Sequence, residues 1–323
     1  MVYREAAEFL SSDETLLLST HINADGDGIG ALLALSGALE RLGRDHRIVL
    51  GDASPDAKFS FLDGFDRLTP FESLPDDVSF SHAIIVDTPT YAEHRVGKVA
   101  TLLDDETRIL VIDHHAVDAG GNVARLVDAD ASAASELVFR LIQHLGVPVT
   151  PAMATQLYAG IAFDTKLFKF SHPERGLKAC AELVDLGADP QVIADAVFAS
   201  EKYETVKTLG LALASLERHL DGRVNTLSID HETYALGGDL DLIVDHAMAI
   251  RGIEVSLFLK EEAPGRFRVS LRSRSSLDVN QIAGKFGGGG HKRASGCTLE
   301  MTLEDAKKVL LAEVAQAISA EGN

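Results

Sequence analysis

The sequence TLLLSTHINADGD, residues 15–27, indicates the architecture of the first half of the chain. It begins with a short apolar run and ends in a turn that carries His21, Asp25 and Asp27. Three further runs, rich in β-branched residues, are RIVLGD (47–52), HAIIVD (82–87) and RILVIDHH (108–115). Helical patterns alternate with these runs. This alternation predicts a parallel β-sheet that helices cover on both faces.

From about residue 132 the pattern changes to consecutive helices, which glycine and proline residues separate as stop and start signals. In the last third, strands are predicted among helices at VNTLSID (224–230), IEVSLFLKE (253–261) and RFRVSLRSR (266–274). We therefore predict an α/β protein, with a parallel-sheet domain, a helical extension of that domain and a smaller α+β domain. The predicted bounds are residues 1–192 for the first domain, 193–202 for a linker and 203–323 for the second domain.

The composition is that of an ordinary globular protein. The 323 residues are 46% hydrophobic and 24% charged, which allows a sizeable core and, at about 150 residues each, two domains. The net charge of −19 argues against a general duplex-binding surface, because nucleic-acid affinity comes mainly from neutralised phosphates. Two distant cysteines, Cys180 and Cys297, imply no disulfide framework, and neither a signal peptide nor an apolar run of about 18 residues is apparent. We expect a cytoplasmic protein that binds neither membranes nor long duplex nucleic acid.

Three of the apolar runs end in acidic or imidazole side chains. Residues 21–27 follow the first run, Asp87 ends the third and residues 113–115 end the fourth. Each could be a plain turn or a helix N-cap, but sites in parallel sheets form at the carboxyl ends of the strands, where these groups would converge. Carboxylates in one pocket repel each other unless cations are present, and carboxylates with imidazoles suit Mn²⁺ and related ions. The pattern predicts a metal site, and two such ions can serve phosphoryl transfer.

A second group of candidate residues lies nearer the C-terminus. Four glycines, residues 287–290, precede His291-Lys292-Arg293 and allow the backbone to approach an anion closely. Upstream, Arg272 and Arg274 alternate along a predicted strand and would project on one face, and guanidinium groups suit phosphate. A glycine run alone is usually a flexible loop, but the basic residues around this one favour phosphate binding.

These motifs together resemble those of the DHH phosphoesterase superfamily. The sequences HINADGD (21–27), VIDHH (111–115) and LYAGIAFDT (157–165) are similar to its metal-binding motifs, and Asp87 falls between the first two. The glycine run, with residues 270–274 before it, resembles the DHH-associated C-terminal domain. The resemblance spans almost the whole chain in the family order, and the length and architecture resemble the NrnA-type members.

The resemblance implies a DHH domain and a DHH-associated domain with a cleft between them that holds the substrate. It implies a two-metal phosphoesterase that hydrolyses short oligoribonucleotides, the 3′-phosphate of adenosine 3′,5′-bisphosphate (pAp), or both. Mn²⁺ is the expected ion, with Mg²⁺ or Co²⁺ as alternatives. Cyclic or linear signalling dinucleotides, such as cyclic di-AMP and pApA, are an alternative substrate class. A nucleotide- or RNA-binding module without catalysis is the alternative of another class, and a homodimer is one option for the assembly.

The resemblance also assigns roles to individual residues. The first metal would be held by His21, Asp25 and Asp87, and the second by Asp27, Asp87, His114 and Asp164. The catalytic group would consist of Asp113, His114 and His115. Within it, Asp113 would orient a histidine and His115 would face the scissile phosphate. The substrate would be bound by His115, Arg272, Ser273, Arg274, Gly288, Gly289, Gly290 and His291.

The chain departs from the family pattern at two positions. Ala24 stands where proline is common before the first aspartate of the motif, and Lys166 stands where glycine is common after Asp164-Thr165. A lysine at this position either points to solvent or contacts a substrate phosphate. Lys166 is therefore a candidate for a residue that influences substrate choice.

Overall fold

The computed structural model describes residues 2–11, 13–75, 78–115, 123–168, 173–199, 202–238, 240, 243–274 and 277–321. The chain divides into two compact units, Met1–Ser200 and Glu201–Asn323. Helix α7 (Pro190–Phe198) belongs to the first unit, so it takes up residues 193–198 of the linker that the sequence predicts. In the part of the chain that the structure describes, no helix is both long and apolar enough to cross a membrane.

The first unit is built on a parallel six-stranded sheet, as the sequence predicts. Its strands are β1 (Leu16–Ser19), β2 (His46–Leu50), β3 (Thr69–Pro70), β4 (His82–Val86), β5 (Arg108–Asp113) and β6 (Ala124–Val127). They lie side by side in the order β3-β2-β1-β4-β5-β6, and every neighbouring pair is parallel. The four predicted apolar runs form β1, β2, β4 and β5, whereas the short edge strands β3 and β6 were not predicted.

Helices cover both faces of this sheet. Besides α7 they are α1 (Val2–Leu10), α2 (Gly26–Arg41), α3 (Glu93–Val96), α4 (Ala134–His144), α5 (Pro151–Asp164) and α6 (Pro173–Asp185). Leu16 and Leu18 of β1 belong to the large core cluster with α2, α4 and α5, whereas Leu17 belongs to a second cluster on the other face, with Val96 of α3. Burial on both faces explains why the strands are continuously apolar instead of alternating.

Helix α2 lies at the centre of the unit and contacts α5 along its length. Gly30 makes this close approach possible, because a Cβ atom at this position would lie 2.3 Å from the carbonyl oxygen of Gln156. The contact is between backbones, so neither helix can give way by turning a side chain. The separation of the two helices therefore depends on this glycine.

The second unit contains a mixed sheet, as expected for the predicted α+β domain. Its strands are β7 (Glu217–His219), β8 (Val224–Ile229), β9 (Val255–Ala263), β10 (Arg266–Ser273), β11 (Gly289–His291) and β12 (Ala294–Glu300), in the order β11-β12-β10-β9-β8-β7. Only β8 and β9 pair in parallel among the strands described. Its helices are α8 (Tyr203–Ala214), α9 (His231–Ala235), α10 (Ile243–Met248), α11 (Val279–Lys285) and α12 (Leu303–Glu321).

The two faces of this second sheet are covered differently. Side chains of α11 and α12, such as Ile282 and Leu310, pack on one face with Val269 of β10. On the other face, Ala212 of α8 and Val244 of α10 pack on β8 and β9. The glycine run does not form a simple loop, because its last two residues belong to β11, which pairs with β12 as a hairpin.

Candidate functional site

The predicted metal ligands meet where the strand order of the first sheet reverses. β1 and β4 are neighbours, and the chain leaves them toward opposite edges of the sheet. A crevice opens at such a point beyond the carboxyl ends of the strands. The 21–27 turn follows β1, Asp87 follows β4, and Asp113 ends β5 just before His114. Asp164 joins them from the last residue of α5.

The first group of ligands consists of His21, Asp25 and Asp87, whose ligand atoms lie within 4.8 Å of one another. His21 Nε2 is 3.8 Å from Asp25 Oδ1 and 3.4 Å from Asp87 Oδ2. The other ring nitrogen, Nδ1, donates to the carbonyl oxygen of Ile22 at 2.8 Å. Since a carbonyl oxygen can only accept, the bond fixes Nε2 as the nitrogen that faces the carboxylates.

The second group surrounds His114. Its Nε2 atom lies 3.9 Å from Asp27 Oδ2, 3.6 Å from Asp87 Oδ1 and 3.7 Å from Asp164 Oδ2. Asp87 thus faces the first group with Oδ2 and the second with Oδ1. Its backbone φ of 56° lies in the left-handed region, which is unfavourable for an aspartate and is typical of functional positions.

The donor set fits divalent cations. His114 Nε2 and Asp164 Oδ2 are buried and form no hydrogen bond within the described parts of the chain. Buried polar atoms normally have a partner, and a metal ion can serve as that partner for an imidazole nitrogen and a carboxylate oxygen. Six oxygen and nitrogen ligands without thiolates suit Mn²⁺, Mg²⁺ or Co²⁺ better than a structural zinc.

The electrostatics of the site lead to the same conclusion. Burial raises the pKa of Asp27 well above its usual range, and the nearby Asp87 carboxylate raises it further. Burial opposes the protonation of His21 and His114, yet the carboxylates around them raise the pKa of His21 to about 10 and that of His114 to about 9. The clustered carboxylates therefore favour positive charge in the site. Metal ions would supply that charge, and ligand imidazoles bind them in the neutral form.

Helix α4 holds Asp27 in place, a contact that sequence patterns did not predict. The amide of Ala134 donates to Asp27 Oδ2 at 2.6 Å, and the amide of Ser135 donates to Oδ1 at 2.8 Å. Both amides belong to the first turn of α4, where N–H groups lack partners within the helix. Asp27 thus caps a helix 107 residues further along the chain, which fixes its orientation.

Asp113 lies against His115 and not in either group of predicted ligands. Its Oδ1 atom accepts a hydrogen bond from His115 Nδ1 at 2.7 Å, and Asp113 is fully buried. The bond to this carboxylate raises the pKa of His115. The geometry suits the orienting role that the resemblance implies, with His115 Nε2 left for a substrate.

Asp52, which no sequence motif indicated, holds the 21–27 turn from the side. Its two carboxylate oxygens accept from the amides of Asn23 at 2.7 Å and Ala24 at 2.8 Å. Asn23 has a φ of 57°, so this carboxylate stabilises a turn that is otherwise strained. The signal was present, since Asp52 ends the run RIVLGD just as Asp87 ends HAIIVD.

Replacing Asp52 with alanine should weaken metal binding by about ten- to a hundredfold, the range for partners that orient metal ligands. The turn would lose two hydrogen bonds, so His21 and Asp25 would no longer be held ready. Activity at saturating metal should remain close to that of the wild type. A Mn²⁺ titration of activity measures this, with Asp105→Ala, an exposed turn residue, as the control. An unchanged titration midpoint would contradict this role.

Lys166 has the backbone conformation of the glycine that is common at its position. Its φ is 49°, and Leu167 and Phe168 follow at 54° and 65°, three successive residues in the left-handed region. For an L-amino acid, the left-handed conformation costs about 1–2 kcal/mol of conformational free energy per residue. The Lys166 ammonium lies 5.5 Å from the centre of the Phe163 ring, and Phe163 directly precedes the predicted metal ligand Asp164. Contact with a substrate phosphate stays a prediction.

The predicted anion-binding residues are brought together only in part. A groove of about 510 Å³ in the second unit contains Arg272, Gly288 and Gly289. Ser273, one residue on, is buried on the opposite face, and its hydroxyl donates to the carbonyl of Leu277. The Arg274 guanidinium donates to the carbonyl of Met248 at the end of α10. These bonds give Ser273 and Arg274 structural roles, and their contacts with a substrate stay predictions.

The remaining predicted residues lie at the β11 hairpin. Gly290 and His291 are exposed and do not line the groove. Gly288 is required by packing, because a Cβ atom there would lie 2.1 Å from the carbonyl oxygen of Gly296. A Cβ atom on Gly289 would meet no atom closer than 3.7 Å, so the fold itself does not require a glycine at that position.

Comparisons with known proteins identify a family for both parts of the chain. Residues 15–161 match the model of the DHH family, N-terminal domain, and residues 223–320 match the DHHA1 domain. The chain is 31% identical to the bifunctional oligoribonuclease and PAP phosphatase NrnA of Thermus thermophilus, over 99% of this chain and 95% of the relative. It is 26% identical to the cyclic-di-AMP phosphodiesterase PdeA of Listeria monocytogenes, over 95% of this chain and 48% of the relative.

A solved structure shares the whole fold. The crystal structure of an exopolyphosphatase-related protein from Bacteroides fragilis superposes with a TM-score of 0.82 at 23% identity, covering 97% of this chain and 95% of that one. Both family models match in the order that the motifs predict, and one relative is matched along nearly its full length. The chain therefore belongs to the DHH phosphoesterase family, as a member with a C-terminal DHHA1 domain.

Proposed function

We propose that this protein hydrolyses short oligoribonucleotides and removes the 3′-phosphate of pAp, using two divalent metal ions. The observation that carries the proposal is the position of Asp87, whose two oxygens face two separate groups of ligands. A carboxylate shared in this way suits a pair of ions. The names of its relatives point to the substrates, since NrnA proteins of this length are described as oligoribonucleases and PAP phosphatases.

Different residues of the chain would bind the metal ions, donate to the reacting phosphate and bind the rest of the substrate. His21, Asp25 and Asp87 would hold one ion, and Asp27, Asp87, His114 and Asp164 the other. When bound, the ions polarise the phosphoryl group and make water available as a nucleophile near neutral pH. Asp113 fixes His115 through Nδ1, so that its Nε2 can donate to a phosphate oxygen or to the leaving oxygen. Arg272 would bind a further phosphate of the substrate in the groove of the second unit.

The test is a panel of substrates with metal-stripped protein that is reloaded with Mn²⁺, Mg²⁺ or Co²⁺. We expect phosphate release from pAp, mononucleotides from RNA of two to five nucleotides, and the highest rates with Mn²⁺. His114→Ala should lower kcat by about a thousandfold, on the order of 4 kcal/mol. His231→Ala, at an exposed position on α9, is the matched control. If the His114→Ala variant kept full activity, the proposal would be refuted.

Two other functions are separated by the same panel. The similarity to PdeA favours cyclic di-AMP or linear pApA as substrates, and faster hydrolysis of these than of pAp and RNA would support them. Tight nucleotide binding without turnover under any of the ions would support a non-catalytic module. The cluster of buried carboxylates and imidazoles argues against such a module, because binding alone gives no reason to bury it. A homodimer, an interdomain cleft and a cytoplasmic location stay predictions.

A further inference from the structure

Strand β10 carries basic side chains that the metal centre does not use. Arg266, Arg268, Ser270 and Arg272 alternate with buried residues and so share one face of the sheet. This is the face that α8 and α10 cover at β8 and β9. At β10 and β12 it is open, since Arg268 and its neighbour Thr298 are exposed and line the groove. We call Arg268, Ser270 and Arg272 the β10 stripe.

The middle of the β10 stripe is arranged to donate to an anion. Lys260 lies opposite Arg268 on β9, is 3% exposed, and its ammonium donates to Ser270 Oγ at 2.9 Å. Because the ammonium occupies one lone pair of this oxygen, the hydroxyl hydrogen of Ser270 can be donated outwards.

The stripe has a charged end and a neutralised end. Among the residues that the structure describes, no carboxylate lies within ion-pair distance of Arg268, whereas Arg272 Nε is 3.7 Å from Asp245 Oδ1. Arg266, the next residue outward, has its Nε 3.6 Å from Glu262 Oε2 and lies opposite Glu300 on β12. The positive character therefore ends at Arg268, and carboxylates follow it.

We propose that the β10 stripe binds successive phosphates of a single-stranded oligonucleotide, and that Arg268 contacts a phosphate that pAp lacks. Alternate residues on a strand are about 7 Å apart, which is close to the spacing of neighbouring phosphates along an extended single strand. The carboxylates of Glu262 and Glu300 beyond the stripe repel a further phosphate, so the stripe favours short chains. The inference rests on the proposed function and names the residue that separates its two substrates.

Kinetics of the full chain on two substrates test the proposal. Arg268→Ala should raise KM for an RNA pentamer about tenfold, the loss expected for one charge-assisted hydrogen bond, and should change KM for pAp by less than about twofold. Arg272→Ala should raise KM for both substrates. Arg266→Ala, on the same strand and face but outside the groove, is the matched control and should change neither. Thermal melting of each variant shows whether it is folded.

Equal effects of Arg268→Ala on the two substrates, or no effect on the pentamer, would overturn the proposal. A second measurement keeps it apart from the proposed function. Binding of a fluorescent RNA pentamer to the protein in EDTA should weaken about tenfold in Arg268→Ala, and its salt dependence should become shallower. Wild-type protein that hydrolyses neither substrate would refute the proposed function, while this binding measurement would still decide the role of Arg268.

Discussion

Replacing Asp87 with asparagine should abolish hydrolysis of every substrate, lowering kcat/KM by about three orders of magnitude, on the order of 4 kcal/mol. Asparagine keeps the shape of the side chain but removes the charge that both ligand groups share. His21 and His114 would lose the carboxylate oxygens that now lie 3.4 Å and 3.6 Å from their Nε2 atoms. A single neutral oxygen cannot replace a carboxylate that faces two cations.

Metal content gives a readout of Asp87→Asn that does not depend on activity. Wild-type protein should gain thermal stability in Mn²⁺, by about 2.7 kcal/mol when the free ion is at a hundred times its dissociation constant. The variant should lose most of this gain and should retain less metal after gel filtration. Asp105→Asn, in an exposed turn, is the control that should behave like the wild type. Undiminished turnover by Asp87→Asn would refute the shared role of this carboxylate.

Replacing Gly30 with alanine should lower the free energy of unfolding by about 3 kcal/mol, the upper part of the usual range for overpacked cores. The added methyl group would lie 2.3 Å from the carbonyl oxygen of Gln156 and 3.3 Å from the amide nitrogen of Gly160. Both atoms belong to the α5 backbone, so α2 and α5 must move apart. Since Asp27 lies near the start of α2 and Asp164 ends α5, this movement should also lower kcat.

Gly37→Ala on the same helix is the matched control for Gly30→Ala. Its new methyl group would meet the end of the flexible Met153 side chain at 2.9 Å, which can turn away. Alanine is also favoured over glycine in a helix by about 1 kcal/mol. This variant should be as stable as the wild type or more stable in urea unfolding. Equal destabilisation by the two substitutions would mean that the α2–α5 backbone contact has no special importance.

Much of the candidate site could be predicted because its signals are local. The ligands lie directly after apolar runs, and the residues that form a strand also determine where it ends. His21, Asp87 and His114 can therefore be identified from the sequence alone. Their convergence follows from the general rule that sites in parallel sheets form at the carboxyl ends of the strands. The edge strands β3 and β6 escaped prediction because they are short and carry little hydrophobic pattern.

Other features were invisible because they depend on partners that are distant in sequence. The carboxylate of Asp27 is held by amides of α4, and no pattern near Asp27 predicts that contact. Arg272 and Arg274 alternate in sequence, yet β10 ends at Ser273, so Arg274 leaves the strand and bonds to α10. An alternating pattern places side chains on one face only as far as the strand continues.

By itself, the sequence determined the α/β class, the four central strands of the first sheet, and the set of carboxylates and imidazoles that can hold metal. These follow from apolar periodicity and residue chemistry, which need no knowledge of the neighbours. Only the tertiary structure decided that Asp87 faces both groups, that Asp52 and α4 hold the ligands, and that Arg268, not Arg274, extends the basic face. Orientation and pairing are set by packing between distant segments, and packing is a property of the folded chain.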